Sequence, residues 1–259
     1  MEQSSAKEEY VHRIFSAIAP RYDFLNTALS FKQDKYWRRF TVEKTGLLPG
    51  GHGLDVCCGT GMLAIEQAKM VGPAGKVVGL DFCAAMLVKA KENITRTPYQ
   101  NNIELTQGNA LNLPFAKACF DSATIGFALR NVPDLRQTIL EMKRVVRPGG
   151  KVVSLELSRP NKVGFKQAYF FYFNFLVPVL GYLVSGVKGP YSYLPASLKN
   201  FPPQKEISNI FRSVGLTGVT YYELTGGIVT VHVGTVPSRT SDVSSRTSGE
   251  KHTKSDVGR

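Results

Sequence analysis

Two apolar runs in the first third of the chain each end near a carboxylate, and a glycine-rich loop follows the first of them. The runs are Leu54-Asp55-Val56-Cys57-Cys58-Gly59-Thr60-Gly61 and Val77-Val78-Gly79-Leu80-Asp81, with a helical pattern between them. Gly59 and Gly61 let backbone amides approach a ligand at the positive end of the following helix. The pattern predicts a strand–loop–helix–strand unit that binds a nucleoside-containing ligand.

Asp55 bears on the identity of that ligand. Read as Gly59-x-Gly61-x-x-Ala64, with Asp81 about 20 residues on, the loop also fits the degenerate dinucleotide fingerprint. A carboxylate at the strand end would repel a pyrophosphate but attract the ammonium and sulfonium groups of S-adenosylmethionine. We therefore expect S-adenosylmethionine, with NAD as the alternative, and we expect the Asp81 oxygens to accept both ribose hydroxyls.

The third predicted strand is followed by Gly108-Asn109-Ala110. The Asn109 amide and a backbone N–H of Ala110 offer the donors and acceptor that an adenine ring requires. A simple turn is the alternative, because Gly-Asn favours turns on its own.

Strands alternate with helical patterns over the middle of the chain, which predicts a parallel sheet covered on both faces. Helices are predicted at 7–18, 26–44, 63–71, 84–96 and 134–146, with a break at 19–23. Strands are predicted at 54–57, 76–80, 103–106, 122–125 and 151–155.

Two further β-rich runs, Thr217 to Leu224 and Ile228 to Gly234, are joined across Thr225-Gly226-Gly227 and predict an antiparallel hairpin. A parallel core that ends in a hairpin is the order of the seven-strand class I methyltransferase sheet, an α/β Rossmann-like fold. We expect one domain over 1–237, with N-terminal helices at 7–44 and a helical insert at about 160–200 before the hairpin. Residues 238–259 are predicted to be a disordered tail.

The composition of the chain bears on its partners, its metal and disulfide content and its cellular compartment. The chain of 259 residues carries a net charge of +12, which favours contact with phosphates of nucleic acid or of an anionic lipid surface. Its four cysteines form no C-x-x-C pair and no histidine lies at ligand spacing from them, so neither a metal site nor a disulfide framework is expected. The first 20 residues lack a secretory signal, and a cytoplasmic setting is predicted.

An aromatic stretch at 165–187 is long enough to suggest a membrane span, but Lys166, Asn174, Pro178 and Gly181 interrupt it. The alternatives are a buried core helix and a lid that meets a long apolar substrate or the lipid interface.

The chain resembles the UbiE/MenG C-methyltransferases of quinone biosynthesis over about residues 8–236. The motifs that carry the resemblance are Arg21-Tyr22-Asp23-Phe24-Leu25-Asn26, residues 54–61, Leu80-Asp81-Phe82, residues 108–115, Gly126-Phe127-Ala128-Leu129-Arg130-Asn131-Val132-Pro133, Arg147-Pro148-Gly149-Gly150, Tyr193-Leu194-Pro195, Phe201-Pro202, and Gly226-Gly227-Ile228 with His232.

The resemblance implies that Thr60, Asp81, Asn109 and Ala110 contact S-adenosylmethionine. It implies C-methylation of a polyprenyl quinol ring, with demethylmenaquinol converted to menaquinol. Gly126 favours this menaquinone branch, because a serine is usual at its place in the ubiquinone branch. Methylation of a polyprenyl benzoquinol is the alternative. Asp34 stands where relatives often have His.

Three residues are candidates for the chemistry, which requires a quinol that has lost a hydroxyl proton. Arg130 remains protonated, so it would stabilise an oxyanion or orient a water that takes the proton. Asn131 would fix a ring oxygen, and Tyr22 would close over the donor. The alternatives are a surface ion pair for Arg130 and a helix cap for Asn131.

Residues 143–166 hold seven Lys or Arg and one acid, Glu156. If these converge at the pocket mouth, they would dock the enzyme on the anionic inner face of a membrane; a dispersed arrangement is the alternative. Oligomeric state is open, with a homodimer as the candidate. Nucleic acid is not expected as a partner, because no separate RNA-binding module is evident; a nucleic-acid methyltransferase and a non-catalytic donor-binding subunit are the rival classes.

Overall fold

The fold is built on one seven-stranded sheet, seen in a computed structural model that describes residues 2–160, 167, 172 and 190–238. In chain order the strands are β1 His52–Val56, β2 Lys76–Asp81, β3 Ile103–Gln107, β4 Phe120–Gly126, β5 Val146–Leu157, β6 Thr217–Leu224 and β7 Val229–Thr235. They lie in the order β3-β2-β1-β4-β5-β7-β6. Every predicted strand is confirmed, with ends that differ by a few residues.

Strand direction follows the prediction. β3, β2, β1, β4 and β5 are parallel, while β7 runs antiparallel between β5 and β6. Leu54, Val56 and Ile125 are almost completely buried, as expected where helices cover both faces of a parallel sheet. The carboxyl ends of the parallel strands therefore meet at one edge of the sheet, and that edge carries the candidate site.

The helices are α1 Glu2–Ile18, α2 Tyr22–Leu29, α3 Gln33–Thr45, α4 Met62–Val71, α5 Ala84–Thr95, α6 Leu135–Val145, α7 Pro190–Asn200 and α8 Gln204–Ser213. Two helix predictions need correction: the single helix expected at 26–44 is split between α2 and α3, and the break expected at 19–23 is shorter, because α2 already begins at Tyr22 after a 3₁₀ turn at Ala19–Arg21. Phe31 and Lys32 adopt left-handed φ angles of 52° and 65°, and the Ser30 hydroxyl accepts the Asp34 N–H at the start of α3. Neither residue is a glycine, so no turn signal is visible at this point of the sequence.

Side-chain contacts hold α3 against the hairpin. Trp37 Nε1 donates to Thr225 Oγ1 at 2.8 Å, and the Trp37 ring packs with buried Val153 and Val231. The helix that precedes β1 is thereby anchored to the last two strands, across the face of the sheet.

The described cations of the basic run 143–166 are dispersed: Arg159 follows the carboxyl end of β5 and donates to the Phe201 carbonyl, whereas three others lie away from the carboxyl edge. Arg147 pairs with Asp121 near the start of β4, Lys143 donates to the Val214 carbonyl, and Lys151 lies at the register position of Ser122, two residues into β4. The dispersed alternative is correct for these three residues because they precede β5 or lie in its first half, away from the carboxyl ends.

Among the described residues, no helix has the length and apolar character needed to cross a bilayer. Most of the aromatic stretch at 165–187 and the tail from residue 239 onward lie outside the described residues, so the core-helix or lid alternatives and the disordered tail stay predictions.

Candidate active site

The loop after β1 begins with strained backbone. Cys57 adopts a φ of 54° and Gly59 a φ of 54°, a region that disfavours side chains. A Cβ on Gly61 would lie 3.3 Å from Ala90 Cβ and 3.3 Å from Ile94 Cδ1, so this glycine permits close packing of α4 on α5. The glycines thus shape the loop and its packing, and the approach of backbone amides to a ligand stays a prediction.

Asp81, at the end of β2, fastens that loop. Its Oδ2 accepts the Gly59 N–H at 2.8 Å, and its Oδ1 accepts the Cys83 N–H at 2.9 Å. Burial raises the pKa of Asp81, and these backbone hydrogen bonds oppose the rise. Because each carboxylate oxygen has two acceptor positions, both can still accept a ligand hydroxyl.

Asp55 is the second buried carboxyl group at this edge. Its Oδ1 accepts a hydrogen bond from Thr124 Oγ1 at 2.8 Å, while Oδ2 is buried and makes no hydrogen bond of normal geometry within the protein. Burial raises the pKa of Asp55 to about 7, and the Arg38 charge is among the effects that oppose the rise. A buried acceptor of this kind favours a cationic ligand group that would compensate its desolvation.

The main cleft encloses about 860 Å³, including its open mouth, which is within the range of small-molecule sites. Its wall contains Val11, Phe15, Tyr22, Cys57, Gly59, Asp81, Phe82, Cys83, Met86, Gly108, Asn109, Ala110, Leu111, Gly126, Phe127, Ala128, Asn131, Val132 and Pro133. Apolar side chains of α1 and the loop after β4 therefore face the polar strand ends.

The sequence predicted either a ligand contact or a simple turn at Asn109, and the structure places it in a turn that also lies on the cleft wall. Its Oδ1 accepts the Leu111 N–H at 2.8 Å and its carbonyl accepts the Asn112 N–H at 3.1 Å, so it forms a turn. It also lies on the cleft wall beside Ala110. The turn uses the Asn109 oxygens, and the side-chain NH₂ remains as the donor group for a ligand.

A second, more polar chamber of about 390 Å³ adjoins the cleft, sharing Tyr22, Cys57, Gly59, Gly126 and Phe127 with it. The residues that line only this chamber are Arg38, Asp55, Cys58, Thr60, Met62, Leu63 and Leu155. The two spaces together give room for a nucleoside in one and a charged tail in the other.

The N-terminal helices are tied to the glycine loop. Asp23 accepts a hydrogen bond from Thr60 Oγ1 at 2.5 Å and another from Asn93 Nδ2 at 2.7 Å, and Asn93 also donates to the Thr60 carbonyl. The Thr60 hydroxyl is thus engaged with Asp23. Tyr22 packs edge-on against Phe15, and burial raises its pKa, so its hydroxyl stays protonated at neutral pH and can donate a hydrogen bond.

Glu156, near the carboxyl end of β5, fixes the loop after β4 by an ion pair and hydrogen bonds. This carboxylate forms a buried ion pair with the Arg130 guanidinium and accepts the Arg130 N–H at 3.2 Å. It also accepts the Leu157 N–H at 2.9 Å. Phe127, which begins the loop, has a left-handed φ of 57°. Glu156 therefore fixes a strained loop whose other residues, including Asn131, line the cleft.

The structure brings most of the predicted site residues together. Tyr22, Asp55, Gly59, Thr60, Asp81, Asn109, Ala110 and Asn131 line the cleft or the chamber. Gly61 and Arg130 are absent from both linings, and Arg130 is buried rather than in the surface ion pair considered as its alternative. Asn131 does not cap α6, because Asp134 accepts the Gln137 N–H there.

Three site residues were missed from the sequence. Arg38 lies four residues after Asp34, a helical ion-pair spacing that could have marked it. Glu156 follows the same rule as Asp55 and Asp81, an acid near the carboxyl end of a strand. Nothing in the sequence placed Asp23 against Thr60.

His232, a residue of the resemblance, lies away from the cleft. It is buried, its Nε2 is 2.9 Å from the Gln204 carbonyl oxygen, and burial lowers its pKa to about 4. It faces a small cavity together with Ser154 and Glu156.

The strand order, the antiparallel seventh strand and the glycine loop beside two buried carboxyl groups define the class I methyltransferase fold. A SAM-dependent methyltransferase from Aquifex aeolicus matches with a TM-score of 0.58 at 20% identity, covering 77% of this chain and 89% of that chain. The [4+2]-cyclase SpnF matches with a TM-score of 0.67 at 15% identity, covering 89% of this chain and 97% of its own. The cyclase shows that this fold alone does not determine the chemistry.

The sequence comparison is more specific. The model of the ubiE/COQ5 methyltransferase family matches residues 3–236, and the chain belongs to that family. The demethylmenaquinone methyltransferase of Desulfitobacterium hafniense is 48% identical over 231 residues, which is 89% of this chain and 91% of the relative. That of Oceanobacillus iheyensis is 44% identical over 234 residues, covering 90% and 98%. The chain is therefore a methyltransferase, and the resemblance stated from its motifs is confirmed.

Proposed function

We propose that the enzyme transfers a methyl group from S-adenosylmethionine to a ring carbon of demethylmenaquinol, the last step of menaquinone biosynthesis. The observation that carries this proposal is the 44–48% identity to relatives of that name over about nine-tenths of the chain. The polyprenyl naphthoquinol is the substrate class those names indicate.

The residues present fit S-adenosylmethionine. Asp81 would accept the ribose hydroxyls, and Asn109 with Ala110 would meet the adenine, all on the cleft wall. Asp55 Oδ2, buried without a hydrogen bond, would receive the cationic amino group. When bound, the donor supplies a methyl group activated by its sulfonium.

The protein has two tasks in the transfer. It must hold the acceptor carbon about 3–3.5 Å from the methyl group, and it must favour loss of a quinol hydroxyl proton, since the phenolate pushes electron density into the ring. Asn131, on the cleft wall, would bind a ring oxygen. Arg130, held by Glu156 behind the same loop, would stabilise negative charge there through its fixed cation.

Tyr22 would close the site. It lines both the cleft and the chamber, so its ring stands where the nucleoside and the charged tail of the donor would meet. Together with Val11 and Phe15 of α1 it would exclude water from the reacting atoms.

The test is product identification by mass spectrometry with short-chain demethylmenaquinol, a demethylated benzoquinol and RNA offered separately with labelled donor. We expect methylation of the naphthoquinol. Methylation of the benzoquinol alone would assign the ubiquinone branch. Methylation of RNA alone would assign a nucleic-acid enzyme, and no incorporation would favour a donor-binding subunit.

We further propose that the enzyme works in the cytoplasm, in peripheral contact with anionic lipid. The net charge of +12 and the exposure of Phe24 and Phe31, 65% and 76%, support lipid contact. The free thiols of all four cysteines fit a reducing compartment. The homodimer stays a prediction.

Flotation with liposomes tests the lipid contact. We expect the protein to float with anionic vesicles and to lose most of this binding in Phe24→Ser/Phe31→Ser. Leu48→Ser is the matched control, because Leu48 is 71% exposed but lies before β1, at the amino end of the sheet. Equal recovery with neutral and anionic vesicles would remove the electrostatic part of the proposal.

A further inference from the structure

The polar chamber beside the cleft contains a buried cation as well as a buried acid. Arg38 and Asp55 both line it, and their exposed fractions are 7% and 1%. Two opposite charges that face one small space match a ligand that carries both charges, because each ligand charge needs a partner once it is removed from water.

The position of Arg38 is fixed by its neighbours on α2 and α3. Its Nη1 donates to Asp34 Oδ2 at 2.5 Å. Asp34 is itself held by Ser30 Oγ at 3.1 Å and Thr27 Oγ1 at 3.3 Å. The guanidinium carbon lies 5.9 Å from the centre of the Phe127 ring, so the cation is fixed between the helix and the chamber wall.

The contact with Asp34 leaves further N–H donors of the Arg38 guanidinium for a ligand. Asp34 binds Nη1, whereas a guanidinium carries five N–H donors in a planar fork. The group that matches the remaining donors is a carboxylate, which can accept two parallel hydrogen bonds. This gives Asp34 a role in orienting Arg38.

We propose that Arg38 binds the carboxylate of the donor's amino-acid end, while Asp55 receives its ammonium group, so that the chamber selects a zwitterion. This inference rests on the proposed function, since it names the subsite for one part of the proposed donor. The adenosine part would lie in the main cleft, and Arg38 would have no effect on it.

The test compares two stable ligands that differ by one carboxylate, S-adenosylhomocysteine and its decarboxylated analogue, 5′-(3-aminopropylthio)-5′-deoxyadenosine. Their dissociation constants are measured by titration calorimetry on the wild-type protein and on Arg38→Gln. We expect the wild-type protein to bind the decarboxylated analogue at least about tenfold more weakly, the value of one charge-assisted hydrogen bond. In Arg38→Gln the ratio of the two dissociation constants should fall below about threefold, because the variant no longer distinguishes the ligands.

The matched control is Arg147→Gln, which removes an exposed guanidinium near the start of β4 and should keep the wild-type ratio. If Arg38→Gln does not fold, Arg38→Lys is measured instead. Lysine keeps the positive charge but lacks the planar guanidinium. The ratio of the two dissociation constants in Arg38→Lys should therefore be at least about threefold lower than in the wild-type protein.

The outcomes separate this inference from the proposed function. A wild-type ratio that survives Arg38→Gln, or survives Arg38→Lys where only that variant folds, overturns the assignment of Arg38. So does a wild-type protein that binds both ligands equally, while the proposed donor stands in either case. If the wild-type protein binds neither ligand, the proposed function itself fails.

Discussion

The two edges of the sheet are built differently. The carboxyl edge holds the buried acids Asp55, Asp81 and Glu156 and the left-handed residues Cys57 and Phe127. At the amino edge the backbone is closely packed instead. A Cβ on Gly150 would lie 2.4 Å from the Asp121 carbonyl oxygen, and one on Gly75 would lie 2.7 Å from the Gly51 carbonyl oxygen.

This difference indicates that the carboxyl edge serves ligand binding, whereas the amino edge contributes to stability. Buried carboxyl groups and left-handed backbone cost folding free energy, which the rest of the structure must supply. The strand-end acids occur at the edge where parallel strands deliver loops to a ligand, whereas left-handed backbone occurs at both edges, since Ala118, two residues before β4, has a φ of 58°. Close backbone packing leaves no space beside Gly75 and Gly150 at the other edge, so substitutions at these two positions should change stability and leave donor binding intact.

The largest effect on this contrast is expected for Asp81→Ala. The substitution removes the carboxylate that accepts the Gly59 and Cys83 N–H groups and would accept the ribose hydroxyls. We expect S-adenosylhomocysteine affinity to fall roughly 100-fold, since charged hydrogen bonds contribute about 1.5–3 kcal/mol each. Titration calorimetry measures it, and a loss below about threefold would show that Asp81 does not face the ligand.

Arg130 and Glu156 should act as a unit on turnover rather than on donor affinity. We expect Arg130→Ala to lower kcat by about 30-fold or more, somewhat less than the roughly 100- to 1,000-fold seen when a donor in direct contact with the developing charge is removed, with the dissociation constant of S-adenosylhomocysteine changed less than about threefold. Glu156→Gln should lower kcat because it releases Arg130.

The double variant Arg130→Ala/Glu156→Gln identifies how Glu156 acts. If Glu156 works through Arg130, the double variant is no slower than Arg130→Ala alone. Additive losses would show that Glu156 has a separate role. Donor binding that collapses in Arg130→Ala, with turnover per bound enzyme preserved, would contradict the assignment of Arg130.

Gly150→Ala, at the amino edge, should lower stability without changing donor binding. The new Cβ must displace the Asp121 backbone, and overpacking of this kind costs about 1–3 kcal/mol. We expect a lower midpoint in urea unfolding, with donor affinity of the folded protein unchanged. Gly59→Ala provides the contrast, since it has space for a Cβ but carries a left-handed φ beside the ligand. Weaker donor binding in Gly150→Ala would show that the two edges are coupled.

The smallest effect is the pH dependence from Asp55. Its pKa of about 7 means that the ionised fraction, and with it the affinity for the donor's ammonium group, rises with pH. Between pH 6 and 7.5 we expect donor affinity to increase up to about tenfold, because the ionised fraction of a carboxyl group with this pKa rises about eightfold over that range. Asp55→Asn should bind more weakly and show no such rise. A parallel slope in the variant would assign the dependence to another group.

The same pKa has a consequence for the unliganded protein. Because the folded state holds the Asp55 proton more tightly than the unfolded state, this group lowers the free energy of unfolding as pH rises from 3.8 to about 7. His232, with a pKa lowered to about 4, has the opposite effect over nearly the same range. The Asp55 contribution is therefore read as the difference between wild type and Asp55→Asn in denaturant titrations at several pH values.

The sequence by itself determined the sheet and most of the strand-end site. Strands and hairpin follow from local apolar patterns and turn residues, and parallel strands must deliver Asp55, Asp81 and Asn109 to one edge. Sequence periodicity could not show the turn at Phe31 and Lys32, because it depends on two non-glycine residues in left-handed backbone.

The tertiary structure alone decided which charges meet. The contacts of Thr60 with Asp23 and of Arg130 with Glu156 join residues 37 and 26 positions apart, and Arg38 reaches the chamber of Asp55 only because α3 crosses the sheet. Local patterns fix which residues face a core, whereas the pairing of buried charges depends on how helices pack on the sheet.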